Sequence, residues 1–442
     1  MADGGGQVLF SSEAEAFIGE LKQMNLASIG SEKWSLQRER LEKLSMQAVL
    51  NVSKNSDEFI KDYLISYNKL NLLIHELLVI DVWKRRVFPL LFKYSPSPTT
   101  SFPTYLVLYH ETVLICLLEV VIFYQEVVEC LDESVLDLLD YCYRKISQLI
   151  ASCKEHRSND DEAQKSDTSI KEELVRQKET IEFNVQMKCI SIVHYITGHL
   201  KNFPLSVATR LLNTHDFPCM LVDLIQISPW TKNSSKGKTL KYEDGKWQEI
   251  EQSCNLKLVK VEGQVWLTLY QLLLGEHSQN KYEYTPFKKE HILKLRGYLT
   301  DPVIEQIPPL ATLQHYLQQL SLMEPPPANT GLILEQAPVL YDGIMKEGEG
   351  KWNEFARKQS KILLEPDPEI LKTQATRWVD QYSSGVLDTL IDGPPKCALC
   401  GSEATKRCSR CCSEWYCSRE CQVKNWKKHK PSCDILYQSK SS

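Results

Sequence analysis

The 442 residues are 43% hydrophobic and 25% charged, an ordinary globular balance, with length for two or three domains or one long body plus an appendage. Net charge is −5, and residues 396–433 hold nine lysines and arginines against three glutamates, so the remainder is more acidic still. A body that acidic is a poor candidate for sequence-independent nucleic-acid binding, which rests on basic surface.

The segment Met1 to Phe17 has neither the basic nor the apolar region of a signal peptide, and none is expected. Ser12 and Glu15 have capping-box spacing and predict a helix through Met24. From Ser31 onward, Trp34, Leu41, Leu44 and Ala48 follow helical spacing. Two apolar stretches follow. Leu72 to Phe92 is broken by His75, Glu76, Asp81, Lys84, Arg85 and Arg86; Tyr105 to Tyr124 is broken by His110, Glu111 and Glu119. Both predict buried core helices and no membrane span. Val135, Leu138, Leu139, Cys142, Ile146, Leu149 and Ile150 make an amphipathic stripe. Residues 154–169 are polar without periodicity and predict a surface loop or linker; helical pattern returns from Ile170 to Leu200.

Leu240 to Ile250 predicts a β-hairpin, because Asp244-Gly245 is a preferred two-residue turn. That register pairs Tyr242 with Trp247 and Glu243 with Lys246 across the strands. Helices are expected at Val265–Leu274, Lys289–Tyr298 and Leu313–Leu322, with Pro308-Pro309 and Pro325-Pro326-Pro327 breaking the pattern. A last body helix should run from about Pro368 to Leu390. Residues 391–396, with Gly393-Pro394-Pro395, read as a short stiff connector. The fold expected is mainly α: a helical array of the armadillo or HEAT kind over 1–390, a small metal-bound module at 397–433 and a tail at 434–442. The sequons at Asn51 and Asn233 are expected to stay unglycosylated.

Fifteen cysteines would suit a secreted disulfide protein, but their distribution does not. Cys116, Cys130, Cys142, Cys153, Cys189, Cys219 and Cys254 are scattered singly and read as core residues of a reducing compartment. The other eight cluster as Cys397-x2-Cys400-x7-Cys408-x2-Cys411-x5-Cys417-x3-Cys421-x7-His429-x3-Cys433, with Cys412 as a spare. Eight ligands are enough for two closed tetrahedral zinc sites, which are structural because no position is left for a reacting water. Spacing alone leaves sequential and cross-braced pairing both open. Ser418 can cap a helix from Arg419, and Pro431 is expected to end it. Gln422 and Trp426 are four apart and share a face of that helix. The basic cluster Lys424, Lys427, Lys428 and Lys430 largely offsets ligand thiolates, and no helix free of ligands remains to enter a DNA groove.

The segment resembles the MYND-type zinc finger in every ligand interval and in the helix signature Cys421-Gln422-Val423-Lys424-Asn425-Trp426-Lys427-Lys428-His429. That family cross-braces its ligand pairs. The resemblance therefore implies one zinc on Cys397, Cys400, Cys417 and Cys421, and a second on Cys408, Cys411, His429 and Cys433, with Cys412 outside the pattern. It also implies a protein-interaction module that grips short proline-containing peptides, with Gln422 and Trp426 in the groove. An indole offers a flat wall to a proline ring, and an amide fixes the peptide backbone. The competing role for Trp426 is to pack the core between the zincs. Ile307-Pro308-Pro309-Leu310 resembles an internal ligand for such a groove, or else a proline-led helix start.

Catalytic motifs fail. Gly237-Lys238-Thr239 lacks the earlier glycine of a phosphate loop, His75-Glu76 lacks the second histidine of a zinc protease, and Gly348-Glu349-Gly350 lacks the final glycine of a dinucleotide loop. No SET-like segment accompanies the finger, and no enzyme is expected. With the stretch Phe217-Pro218-Cys219-Met220-Leu221-Val222-Asp223-Leu224-Ile225, the whole layout is similar to a family of dynein assembly factors ending in a MYND finger. That resemblance implies a cytoplasmic adaptor or co-chaperone, also placed at centrosomes or centriolar satellites, acting in pre-assembly of axonemal dynein arms for motile cilia. It would link dynein chains to a heat-shock-protein-90-type chaperone machinery and to a leucine-rich-repeat assembly factor. The other class it resembles is the MYND-type transcriptional corepressor adaptor, but no DNA-binding or chromatin-reading domain is visible.

Overall fold

Helical periodicity dominates the chain, and local signals set where each helix starts and stops. The computed structural model describes residues 7–156, 169–233, 238–250, 256–278, 281–325, 338–383, 397–400, 402–411 and 414–439. The first half comprises α1 (Ser11–Glu20), α2 (Glu32–Ser53), α3 (Phe59–Ser66), α4 (Leu70–Arg86), α5 (Phe88–Tyr94), α6 (Phe102–Ile122), α7 (Gln125–Glu129), α8 (Ser134–His156) and α9 (Ile170–Gly198). After α10 (Leu205–Thr209), a π-helical turn and α11 (Phe217–Ile227), the strands β1 (Thr231–Asn233), β2 (Thr239–Glu243) and β3 (Lys246–Glu249) form one antiparallel sheet. Then come α12 (Lys260–Leu274), α13 (Pro286–Leu293), α14 (Asp301–Gln306), α15 (Leu310–Leu322), α16 (Leu340–Gly348), α17 (Trp352–Leu364) and α18 (Pro368–Ser383). The finger contributes β4 (Lys406–Arg407), β5 (Trp415–Tyr416) and α19 (Arg419–Ser439).

The mainly α reading holds, and so does the hairpin. Tyr242 faces Trp247 and Glu243 faces Lys246, and Asp244 and Gly245 both take positive φ, 48° and 78°. A type I′ turn requires that, which is why Asp-Gly stands there. Tyr242 and Trp247 also pack on Phe183 of α9, which anchors the sheet. Ser31 caps α2 by accepting the Trp34 N–H at 3.3 Å.

Several boundaries differ from expectation. The first helix is held by Glu13, whose Oε2 accepts the Phe10 N–H at 2.9 Å, not by Ser12 and Glu15. Ser11 Oγ instead meets Tyr63 Oη at 2.8 Å. The helix stops at Glu20 and not Met24, because Leu21 turns to ψ 132° and buries its side chain while Lys69 Nζ takes its carbonyl at 2.8 Å. Leu72 to Phe92 is two helices: Pro89, in the first turn of α5, has no N–H to continue the α4 ladder. The predicted helix at Lys289–Tyr298 starts earlier, at Pro286, and closes in a 3₁₀ turn at Lys294–Gly297. α8 runs to His156, so the polar loop starts later than expected; residues 157–168 lie outside the described residues. Leu310 is fully buried in the body core at the start of α15, so it is not available to fill the finger's groove. Of the scattered cysteines, Cys142 and Cys189 are buried, Cys116, Cys130, Cys153 and Cys219 are half-buried, and Cys254 lies outside the described residues. Asn51 is buried at 2% exposure and accepts from Gln47 Nε2 at 2.6 Å, which closes that sequon to glycosylation.

One apolar cluster runs from Leu9 to Leu364, so the described helices of the body share a continuous core. α6 is its centre, packed against α2, α4, α9 and α17. By length and composition α6 could cross a membrane, yet it is mostly buried inside the body. Each fully buried leucine or isoleucine there contributes ~2 kcal/mol relative to exposure. α17 seals the array: Gln359 takes the Trp83 indole N–H at 2.8 Å and donates to the Leu26 carbonyl at 2.8 Å, and Thr104 Oγ1 donates to the Leu363 carbonyl at 3.2 Å. His75 and Glu76 also serve the interior. Glu76 accepts from Gln37 at 3.1 Å and faces His110 at 3.3 Å, so the apparent protease motif is spent on packing.

Charges meet where α4, α6, α8 and α9 converge. Lys145 lies 3.1 Å from Asp81, 2.9 Å from Glu111 and 2.5 Å from Glu182, and Lys84 pairs with Glu111 and Glu182. Tyr141 donates to Glu111 at 2.8 Å. Burial pushes the Glu182 carboxyl up, but Lys145 and Lys84 outweigh it and hold it at about 2. Asp81 is likewise held below the usual range against its own burial by Lys145, Arg85 and Arg144. Depressed carboxyl values mean stability that is complete above the ordinary carboxylate range and lost as pH falls through the folded values. Urea midpoints of the wild type should therefore drop between about pH 4 and pH 2. Lys145→Met should cost about 3–5 kcal/mol at neutral pH, because it strands buried carboxylates. That penalty should shrink as acid protonates them; a penalty independent of pH would contradict the network.

Candidate metal centre

The finger is built from short turns that aim sulfur inward. Cys397 N–H donates to the Ser402 carbonyl at 2.7 Å, Ala398 N–H to Trp415 at 2.9 Å and Cys408 N–H to Glu414 at 2.9 Å, so each Cys-x2-Cys turn is tied to the chain facing it. β4 and β5 pair Lys406 with Tyr416 and Arg407 with Trp415. Alternation across β5 puts Tyr416 inside, 1% exposed, and leaves Trp415 half-exposed with Arg407 stacked at 4.2 Å. Ser418 Oγ accepts the Cys421 N–H at 3.3 Å and so caps α19, as its position suggested.

Pro431 does not end that helix. α19 continues through it to Ser439 and takes up most of what was expected to be a tail. Continuation keeps His429 and Cys433, four apart, on one face. A proline inside a helix costs about 3 kcal/mol, whereas a structural zinc contributes about 10 kcal/mol or more.

Two groups of ligand atoms result: Cys397, Cys400, Cys417 and Cys421 in one, and Cys408, Cys411, His429 and Cys433 in the other. Within each, all four atoms lie within 4.8 Å of one another. This is the cross-braced pairing. Cys412 and the connector 391–396 lie outside the described residues.

The donors fit zinc. With Zn–S near about 2.3 Å, a tetrahedral site needs sulfur–sulfur edges of about 3.8 Å. Cys400–Cys417 is 3.4 Å, Cys417–Cys421 3.5 Å, Cys421–Cys400 3.9 Å and Cys408–Cys433 3.8 Å, while Cys411 Sγ is 3.5 Å from His429 Nε2. Electrostatics agree. Burial pushes the Cys397 thiol up, but backbone N–H groups of Cys417, Cys400 and Leu399 pull it down to about 6. Cys408 behaves alike: burial opposes, the Cys411 and Arg410 amides prevail, and its thiol sits at about 6. Cys417 is pushed up to about 12 by hydrogen bonding to the sulfurs of Cys400, Cys421 and Cys397, and Cys433 to about 12 by burial and then Cys408. The first tetrad thus holds two thiols shifted toward ionisation, Cys397 and Cys400, and the second holds Cys408, each beside one thiol, Cys417 or Cys433, that is shifted the other way. Two zinc ions satisfy both, with every protein ligand position filled.

A family model for the MYND finger matches residues 397–433. In Drosophila melanogaster, the zinc finger MYND domain-containing protein 10 homolog is 34% identical over 443 residues, spanning 95% of this chain and 98% of that protein. The chain belongs to the zinc finger MYND domain-containing protein 10 family. Ubiquitin carboxyl-terminal hydrolase 19 of Arabidopsis thaliana is 41% identical over 56 residues, which is 12% of this chain and 8% of that protein. No solved structure matches. As a member of this family the chain carries a finger that is a protein-interaction module.

Gln422 and Trp426 lie on α19, both half-buried. The indole of Trp426 packs edge-on to His429, centroids 5.8 Å apart, so a metal ligand fixes its position while part of its surface stays open. The finger's other aromatic support was not foreseen. Tyr416 packs edge-on to His429 at 6.0 Å and its hydroxyl accepts from Asn425 Nδ2 at 3.2 Å. The Trp415-Tyr416 pair between two ligand positions was the available signal.

Cys408→Ala should remove one zinc and unfold the finger, since folding and metal binding are coupled in so small a module. Native mass spectrometry and limited proteolysis read this directly. Two retained ions with normal protease resistance would show that Cys408 is no ligand.

Proposed function

We propose that this chain is a non-enzymatic cytoplasmic adaptor in which the zinc-held finger docks a proline-containing peptide between Gln422 and Trp426. The observation that supports it is the placement of Trp426. Its indole rests on the zinc ligand His429 yet keeps part of its face accessible, with the Gln422 amide one turn away. A rigid aromatic wall beside an amide is what an extended proline segment requires, and such a segment loses little entropy on docking.

The adaptor would act in the pre-assembly of axonemal dynein arms, joining dynein chains to a heat-shock-protein-90-type chaperone machinery and a leucine-rich-repeat assembly factor. The full-length relationship supports this reading, because it covers body and finger together and not the finger alone. A helical body with a protein-interaction module at its end suits a part that bridges two partners.

In this account Trp426→Ala weakens binding of a proline-leucine peptide by about tenfold or more, the scale of a lost aromatic anchor. Zinc content should stay at two ions. Isothermal titration of the full chain, paired with metal analysis, checks both. Unchanged affinity with intact zinc would remove the groove.

A further inference from the structure

The two tetrads differ in how far they open to solvent. In the second, every ligand is buried: Cys408 is 1% exposed, Cys411 and Cys433 0%, and His429 3%. In the first, Cys397 is buried at 3%, Cys417 and Cys421 are half-buried, and Cys400 is exposed. The second tetrad also sits in the packed centre of the finger, where Tyr416 and Trp426 both stand edge-on to His429. Cys400, at the end of the first Cys-x2-Cys turn, lies outside that buried cluster.

The ligand sets differ in kind as well. Four thiolates around one divalent ion leave two excess negative charges; three thiolates and a neutral imidazole leave one. Excess charge keeps electron density on sulfur, which is where an oxidant accepts it. Proximity does not separate the two sites. Cys400 Sγ has Cys417 Sγ at 3.4 Å and Cys421 Sγ at 3.9 Å, and Cys408 Sγ has Cys433 Sγ at 3.8 Å. What separates them is access, because the oxidant has to touch the sulfur.

We propose that the first tetrad is an oxidant-reactive site, at which hydrogen peroxide joins Cys400 to Cys417 as a disulfide and frees one zinc ion while the second tetrad keeps its own. The Cys400 thiolate attacks one peroxide oxygen, the O–O bond breaks and hydroxide leaves. The Cys417 thiolate then attacks the sulfenic sulfur of Cys400, the S–S bond forms and a second hydroxide leaves. Two electrons have passed from sulfur to oxygen, and the two hydroxides take up two protons as water. Two of the four ligands are then lost to the ion, which departs unchanged in charge. The start of α19 loses its metal anchor at Cys421, whereas His429 and Cys433 still tie its later turns. A dithiol reduces the disulfide and reverses the step.

The test uses the full-length chain loaded with two zinc ions. Native mass spectrometry follows the ion count under hydrogen peroxide, and differential alkylation with peptide mapping locates the oxidised cysteines. One ion should leave about tenfold faster than the other, or more, with Cys400–Cys417 as the first disulfide. A dithiol with added zinc should restore two ions. Cys400→His gives the first tetrad the donor set of the second, and once loaded with two ions it should lack the fast phase. The wild-type map is decisive whether or not that variant loads. Loss of both ions together, a first disulfide on any other pair, or two ions retained in millimolar peroxide would overturn the proposal. So would an unchanged fast phase in the loaded variant.

Discussion

Four sulfur and nitrogen ligand atoms within 4.8 Å of one another are the donor set of a tetrahedral cation, and thiolates so crowded repel one another until a cation sits between them. Everything distinctive about the finger follows from that constraint. Among the described residues, the two Cys-x2-Cys turns, the β4–β5 pair and the long α19 share no large apolar core; their buried cluster is mostly ligand cysteine, with Tyr416 and the small Ala404. Metal coordination replaces the hydrophobic burial that so short a segment cannot supply. It also explains a helix that runs through a proline, because His429 and Cys433 must stay on one face to reach the same ion.

The body solves the opposite problem. It has apolar surface in abundance and buries several charges within it. Lys84, Lys145, Asp81, Glu111 and Glu182 come from four helices that are distant in sequence, and they compensate one another in one place. Apolar side chains tolerate sliding; a shared set of ion pairs does not, so the network fixes the register of α4, α6, α8 and α9. Gln359 then ties α17 to both α4 and the residues before α2. The result is a stiff helical body.

Much of this was legible in the sequence where the signal is local. Asp244-Gly245 between alternating residues specified the hairpin and its register, and the intervals of eight ligands specified two metal sites. The buried character of α6 followed from a long apolar run interrupted by His110, Glu111 and Glu119, which suits a core helix better than a membrane span. What was not legible depends on distant partners. α16 and α17 were legible but missed: Ile344, Phe355 and Leu363 follow helical spacing on strongly amphipathic helices on either side of the Gly348-Glu349-Gly350 turn. The hold on α1 was missed because the helix starts one residue before the expected cap Ser12, and Glu13, not Glu15, reaches back to the Phe10 N–H. The charge network could not be read from α4 or α8 singly, since a lysine in an apolar run gives no sign of which carboxylates it will meet. Pro431 misled because a general rule of helices was outweighed by a ligand at position 433.

The central claim is that two zinc ions, one on four sulfurs and one on three sulfurs and a nitrogen, hold the finger rigid. X-ray absorption at the zinc edge on the full chain tests it most directly. The account predicts two ions per chain and a first shell of sulfur near about 2.3 Å with a minor nitrogen contribution near about 2.0 Å. A single ion per chain, or an oxygen ligand from water in the first shell, would contradict it.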